Sequence, residues 1–434
     1  MKNEDCKLQI DGCSQPRNPQ FLRRVAHLTF GLVAAFALTG ADWPQFRGAD
    51  TSGVSPDKNV PTAIGENVAW AVDLPGRGLS GPIVVAGRVY LTASSGYQQD
   101  RLHILCFDAA QRKQLWERQF WATGRTLCHP KMCNATPTPA SDGKRIFAFF
   151  SSNDVVCLDL EGNLQWMRGM TYDYPNASNS IGMASSPVVA GDTLIVPVEN
   201  LSESFTAGLD PANGVNRWKL DRPLLDNWTS PLVLPGKTRD DDLVVLQSAK
   251  GLSAVRPYTG YEVWQFDEPA STIPSATQSA GVLYAPVKGL TALAPSADGK
   301  SPGVLWQENK LAPATPSPLV DEGRVYNVNG AGVLACADAK TGKILWQLRL
   351  QVPLGEKTSR GVFTSTPVAA GGHLYIFNED GVALVVKTAV KEGESGQIVA
   401  SHDFGEIILC TPAIADGALY VRSDKHLWKV GRHE

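Results

Sequence analysis

One phrase recurs eight times along this 434-residue chain: a small residue, often next to Pro, then an apolar pair, a turn carrying Gly, and a second apolar run. The copies are "SGPIVVAGRVYLT", "TPTPASDGKRIFAFF", "SSPVVAGDTLIVPV", "TSPLVLPGKTRDDDLVVL", "IPSATQSAGVLYAPV", "PSPLVDEGRVYNV", "STPVAAGGHLYIF" and "CTPAIADGALYVR". They begin at Ser80, Thr136, Ser185, Thr229, Ile273, Pro316, Ser365 and Cys410, so successive copies lie 43 to 56 residues apart. A unit of this length, with room for about four strands, cannot bury its apolar faces alone. Arranged radially, such units form a β-propeller.

A second element follows most copies. "FDAAQRKQLW" ends at Trp116, "LDLEGNLQW" at Trp166, "LDPANGVNRW" at Trp218, "VRPYTGYEVW" at Trp264, "LAPSADGKSPGVLW" at Trp306 and "DAKTGKILW" at Trp346. Asp108, Asp210 and Asp338 each stand eight residues before their Trp, and Asp159 stands seven before. The Asp is suited to bond backbone N–H groups in the turn, and Gly162, Gly214, Gly260 and Gly342 suit a residue with positive φ. The Trp then offers a large apolar surface for packing between neighbouring sheets. The seventh copy has no Trp, with Ile398 expected near its place. The eighth, ending in "DKHLWKV", has no chain left for a last strand. "NVAWAVDL", with Trp70, supplies it, so an N-terminal strand is expected to close an eight-bladed ring and remove two open edges.

Composition narrows the partners. Gly (40) and Pro (29) are spread evenly, the net charge is −3, and no basic patch is visible, which argues against nucleic acid. Arg23 and Arg24 precede "VAHLTFGLVAAFALTGA", a basic-then-apolar stretch ending in small residues, as in an export signal. Residues 1–41 are therefore expected to be a cleaved signal and 42–434 one exported, monomeric propeller domain with no transmembrane span after cleavage. No Cys stands at the expected cut, as a lipoprotein would need.

The stretch "CADAKTGKILW" resembles the tryptophan-docking repeat of quinoprotein dehydrogenases, and "DWPQFRGADTSGVSP" followed by "NVAWAVDLPG" resembles the start of their mature chains. The resemblance spans residues 42–434 and implies an eight-bladed propeller. Two groups share that fold: enzymes that hold pyrroloquinoline quinone and Ca²⁺ over the central funnel, and non-enzymatic propellers, such as the outer-membrane assembly lipoprotein, that bind protein partners. The enzymes carry an adjacent Cys-Cys pair and a Glu/Asn/Asp set for Ca²⁺. No Cys-Cys occurs here, and carboxylates are scarce before the inner strands, Glu406 being the nearest. The expectation is a binding or scaffold module without cofactor that takes a protein or small-molecule ligand on its rim. A quinone- and Ca²⁺-dependent oxidoreductase of alcohols or sugars is the alternative.

Specificity must then come from loops. Two long ones, 121–135 and 167–184, both join an outer strand to the next inner strand and so share one rim. They carry His129, Asn134, Tyr172, Tyr174 and Asn179; equivalent loops add Arg77, Asn227, Trp228 and Arg360. For most of these the plain alternative is a role in the turn itself. Cys106, Cys157 and Cys336, each two residues before a turn Asp, read as small core residues. Cys128 and Cys133 in "TLCHPKMC" read as a local disulfide, with a metal site including His129 as the alternative. No Ser/His/Asp set or Gly-rich phosphate loop stands out.

Overall fold

Short runs rich in Val, Ile, Leu and Tyr, broken by Gly turns, pair with their neighbours in sequence into eight four-stranded antiparallel sheets. The computed structural model describes residues 42–295, 300–354, 357–388 and 393–432, with the backbone alone at 239, 353, 354 and 357–360. The expected signal, 1–41, lies outside the described residues. Blade 1 is built from Ile83–Val85, Arg88–Ser95, Arg101–Asp108 and Lys113–Trp121, from the centre outward. Blades 2 to 7 repeat that order over 140–169, 188–221, 232–266, 277–308, 319–349 and 368–403. The inner strands lie side by side around a ring, which makes the molecule an eight-bladed β-propeller. Among the described residues no helix is long and apolar enough to cross a membrane.

Blade 8 consists of Ala413–Ala415, Ala418–Arg422, His426–Val430 and, as its outer strand, Val68–Asp73. Val68 pairs with Val430, Ala71 with Trp428 and Asp73 with His426, so the N-terminal strand closes the ring as expected. Each blade is sandwiched between two others. The second strand of blade 1 is therefore buried on both faces, whereas the outer strand Gln397–Asp403 of blade 7 alternates between exposed and half-buried residues.

The Trp units act between blades. Trp116, Trp166, Trp218 and Trp306 donate their indole N–H to Leu160, Pro211, Pro257 and Ala339, at 3.0, 3.0, 2.8 and 2.9 Å. Each acceptor follows the first turn residue of the next blade, and the ring lies on that turn's Gly. A Cβ on Gly162 would sit 2.7 Å from the Trp116 ring, and one on Gly342 2.5 Å from Trp306. Both glycines have positive φ, 84° and 70°, so the site excludes a side chain twice over. Asp338 shapes its turn by accepting from the N–H of Thr341 (2.8 Å) and Lys340 (3.1 Å) and from the Thr341 hydroxyl (2.7 Å). The Thr341 hydroxyl bond, with the backbone bonds, holds its carboxyl below the usual value. Trp70, Trp264 and Trp346 are buried, at 6, 2 and 7% exposure. Cys106, Cys157 and Cys336 pair across strands with Trp116, Trp166 and Trp346, and burial pushes each thiol up to about 12.

In blade 7 the register corrects the expectation for Ile398. The strand pairing shifts one step past each Trp, as at Cys336–Trp346 followed by Ala337–Ile344. The matching step in blade 7 is Val385–Ala400 followed by Val386–Ile398. Ala400, not Ile398, stands where the Trp would be. A second feature is new: a two-stranded hairpin, Gln351–Leu354 with Lys357–Arg360, rises between blades 6 and 7 where a plain loop was expected.

The segment before the closing strand crosses the inner strands of every blade. Trp43 pairs with Val84 in blade 1, and the Pro44 carbonyl accepts from Ser141 in blade 2. The Gln45 side chain accepts from Val189 N in blade 3, and Thr51 Oγ1 from Val233 N in blade 4. Arg47 Nη1 donates to Ala276 O in blade 5 (2.9 Å) and Nη2 to Pro318 O in blade 6 (3.0 Å). Gly53 and Ser55 pair with Ala369 in blade 7, and Asp57 accepts from Gly417 N in blade 8. Arg47, 2% exposed, is buried among carbonyls, and desolvation lowers its guanidinium to about 10.

Candidate functional site: the central funnel

An inner strand has a neighbour on one side only, so the N–H at its start would lack a partner. Here the next blade supplies one. Backbone N–H groups of Gly81, Thr138, Ser186, Ser230, Ser275, Ser317 and Thr366 donate to the hydroxyls of Thr138, Ser186, Ser230, Ser275, Ser317, Thr366 and Thr411 at 2.9–3.1 Å. These seven rungs run blade by blade around the channel. The step from blade 8 to blade 1 lacks one because Gly81 has no hydroxyl, and a Cβ there would lie 2.7 Å from Thr411 O. Arg422 secures that seam instead. Fully buried, it donates from Nη1 to Ser80 O (3.1 Å), Ser80 Oγ (2.6 Å) and Thr92 O (2.7 Å) of blade 1.

Above the rungs, two residues earlier in each strand, side chains again face the channel. Leu79, Thr136, Ala184, Trp228, Ile273, Thr315, Thr364 and Leu409 form this second tier, and Phe46 from the crossing N-terminal segment lies beneath. The cavity they enclose has a volume of about 410 Å³ and opens on the loop-bearing rim. Its mouth carries a collar of exposed apolar side chains, Ile181 (49%), Ile273 (47%) and Val362 (58%), around Trp228. The Trp228 ring is pinned by its N–H to Gly182 O at 2.8 Å.

The two long loops meet at this mouth. His129 N donates to Ile181 O (2.7 Å), and Arg125 Nη1 to Ser180 O (2.8 Å). The first loop also reaches blade 7, where Lys131 Nζ lies 2.8 and 3.0 Å from the Glu379 carboxylate, which also accepts from Thr364 Oγ1.

Of the ten sequence candidates, His129 and Trp228 line the cavity. The amides do not, because backbone groups claim them. Asn134, fully buried, bonds Gln99 O and Ser152 N. Asn179 donates to Arg125 O and Leu127 O. Asn227 donates to Glu199 and Gln247 O inside a buried network with Arg222. Arg77 bonds Asp424, Met132 O and Pro130 O, clamping the first loop from below. Tyr172 is 75% exposed away from the funnel, and Tyr174 packs on Phe205. Glu406 is held by His426 and Ser423 outside the cavity. The Arg360 side chain lies outside the described residues. Cys128 and Cys133 are not joined: Cys128 donates to Thr126 O at 3.3 Å, while Cys133 is buried against Thr136. Cys410 lines the wall, its thiol pushed up to about 11 by burial.

The missed residues are Glu379 and the collar. Glu379 sits in "FNEDGVAL", a turn between the second and third strands of its blade. Such turns share the rim with the inter-blade loops, so the alternation of strand direction was a signal for it.

The geometry is that of a closed-ended propeller funnel, and known proteins share the propeller fold. The family model for outer membrane protein assembly factor BamB matches residues 62–266 and 289–433. The chain belongs to this BamB family. Among solved structures, BamB from Moraxella catarrhalis is similar at 15% identity, covering 83% of this chain and 96% of its own, with a TM-score of 0.58. A europium-containing methanol dehydrogenase is similar at 13% identity over 90% of this chain and 98% of its own, TM-score 0.67. A quinohemoprotein alcohol dehydrogenase from Comamonas testosteroni follows at 12% identity, 91% and 81% coverage, TM-score 0.65. At these identities the likeness to each structure is one of fold. No curated protein sequence matches the chain.

Proposed function

We propose that this BamB-family propeller is an exported binding module whose funnel is non-catalytic and whose partner docks on the funnel mouth. The observation that carries this reading is the collar of Ile181, Ile273 and Val362 around Trp228, with Ile181 held out by two interlocked loops. Exposed apolar groups grouped around the mouth of a concave cavity suit recognition of another molecule. The donor set supports the same reading. Ca²⁺ takes six to eight oxygen ligands, usually with several carboxylates. The cavity wall offers one carboxylate, Glu379, already neutralised by Lys131. Among the described residues no three His, Cys, Asp or Glu side chains are grouped to hold a metal. The residues present do not fit a Ca²⁺–quinone pair. Export rests on the basic-then-apolar stretch before residue 42.

The test is site-specific photo-crosslinking in the native host. A crosslinker at position 129 should give a discrete protein adduct, lost on Ile181→Asp, while one at position 88 on the opposite face should give none. Adducts only at position 88 would overturn the site. Reconstitution with quinone and Ca²⁺ that yields dye-coupled alcohol oxidation would overturn the non-catalytic reading.

A further inference from the structure

Away from the funnel, blade 1 carries a linear chain of hydrogen bonds through three side chains. Ser95 ends the second strand, His103 lies in the third and Glu117 in the fourth. The register places Ser95 opposite Arg101, which is itself opposite Trp121, His103 opposite Ala93 and Gln119, and Glu117 opposite Leu105. All share one face of the sheet, and the three polar residues step diagonally across successive rows, within reach of one another. Ser95 Oγ lies 2.7 Å from His103 Nε2, and His103 Nδ1 lies 2.7 Å from Glu117 Oε1.

The order of atoms matters more than the residue types. Partial burial raises the Glu117 carboxyl, but bonds from His103 and Gln119 outweigh it and hold the group below its usual value. An ionised carboxylate only accepts, so the Nδ1 it faces carries the proton. In the neutral imidazole Nε2 is then a lone pair directed at the serine hydroxyl. This is the arrangement in which an imidazole removes a proton from a nucleophile. His103 is 3% exposed, so water does not compete for Nε2, whereas Ser95 is half-buried and open on the side of the exposed residues 96–98. Gly96 follows with φ of 81°, and Gln98 and Gln99 both have positive φ, 54° and 62°. Among the described residues the N–H groups of Gly96 and Tyr97 have no acceptor. They are free donors next to the serine. Beside them Trp121 is 59% exposed with the Arg101 guanidinium 3.7 Å above its ring, and Tyr97 is 82% exposed.

We propose that Ser95, His103 and Glu117 form a second site, independent of the funnel, that hydrolyses small aryl esters. Ser95 Oγ bonds to the ester carbonyl carbon while its proton passes to His103 Nε2. The free N–H groups of Gly96 and Tyr97 receive the carbonyl oxygen as it gains charge. The C–O bond to the aryl group then breaks, and His103 returns the proton to the departing phenolate. Water, deprotonated by the same nitrogen, releases the acid and restores Ser95. Glu117 is a positioning residue that fixes the tautomer. The Trp121–Arg101 platform favours an aromatic leaving group by stacking.

The test uses the full chain, an alkyl fluorophosphonate and 4-nitrophenyl acetate. The expected result is one phosphonyl adduct on the peptide containing Ser95, with ester hydrolysis that falls by at least about 100-fold in Ser95→Ala. Glu117→Gln should lower kcat on the order of 10³-fold with KM little changed, as expected for a lost tautomer rather than a lost contact. Absence of an adduct at Ser95, or hydrolysis undiminished in Ser95→Ala, overturns the proposal. Ser95→Ala removes one hydroxyl from a half-exposed position, so a matching melting temperature separates loss of chemistry from loss of fold. If Glu117→Gln fails to fold, Ser95→Cys decides: at pH ~6 its thiol should alkylate with iodoacetamide at least about tenfold faster than free cysteine, because His103 favours the thiolate, and a rate equal to or below that of free cysteine counts against the site.

Discussion

The contact between Trp346 and Gly396 permits a quantitative test of blade docking. Trp346 is 7% exposed and packs on Tyr326 with ring centroids 6.1 Å apart. A Cβ on Gly396 would lie 2.5 Å from the Trp346 ring, and this glycine has no positive φ, so Ala there is opposed by overlap alone. Trp346→Ala opens a cavity at the interface of blades 6 and 7 and should destabilise by ~3–5 kcal/mol. Gly396→Ala overpacks the same interface and should destabilise by ~1–3 kcal/mol. In the double variant the methyl group enters the space the indole has left. The two changes should therefore fall short of additivity by at least ~1 kcal/mol. Urea unfolding followed by far-ultraviolet circular dichroism, with all four proteins at one pH, measures the cycle. Additivity within ~0.5 kcal/mol would refute the claim that the ring rests on the glycine.

Two further outcomes follow from the ring. Deleting residues 42–75 removes the outer strand of blade 8 and every contact of the crossing segment, so the melting temperature should fall sharply; an unchanged melting curve would contradict both roles. The thiols of Cys106, Cys157 and Cys336, pushed up to about 12 by burial, stay neutral in the folded chain while the unfolded chain ionises them above pH ~8.5. Their stabilising contribution is full below that pH and is lost as pH rises toward 12, by about 1.4 kcal/mol per pH unit for each thiol. Under reducing conditions, urea midpoints between pH 8 and 11 should decline less steeply in the triple Ser variant than in the parent once the variants' own stability difference is subtracted; equal slopes would sink the assignment.

The fold was legible because its determinants are local and periodic. The turn Asp and Gly lie within ten residues of their Trp, and within blades 1 to 7 each strand pairs with its neighbour in sequence. Ala400 was misjudged because the bulge beside each Trp shifts the count by one, which only the pairing reveals. The funnel was less legible. Asn134, Asn179 and Asn227 look like recognition residues, and nothing local says that carbonyls from other loops already hold them. The Ser95–His103–Glu117 line was invisible because its members come from three strands with unremarkable spacing, joined only by register.

The crossing segment also dictates an order of events. Residues 42–73 belong to the earliest part of the described chain, yet their partners run as far as Gly431. Blades 1 to 7 each consist of strands close in sequence and can form one after another as the chain emerges. Trp43 to Asp73 find their full set of acceptors and donors only once the eighth blade exists. Until then the inner strands at the closed end present open edges, and the ring can widen or accept a strand from another molecule. Residues 42–73 are thus made before every blade but fixed last, and their docking is the step that turns an open array of blades into a ring with one mouth.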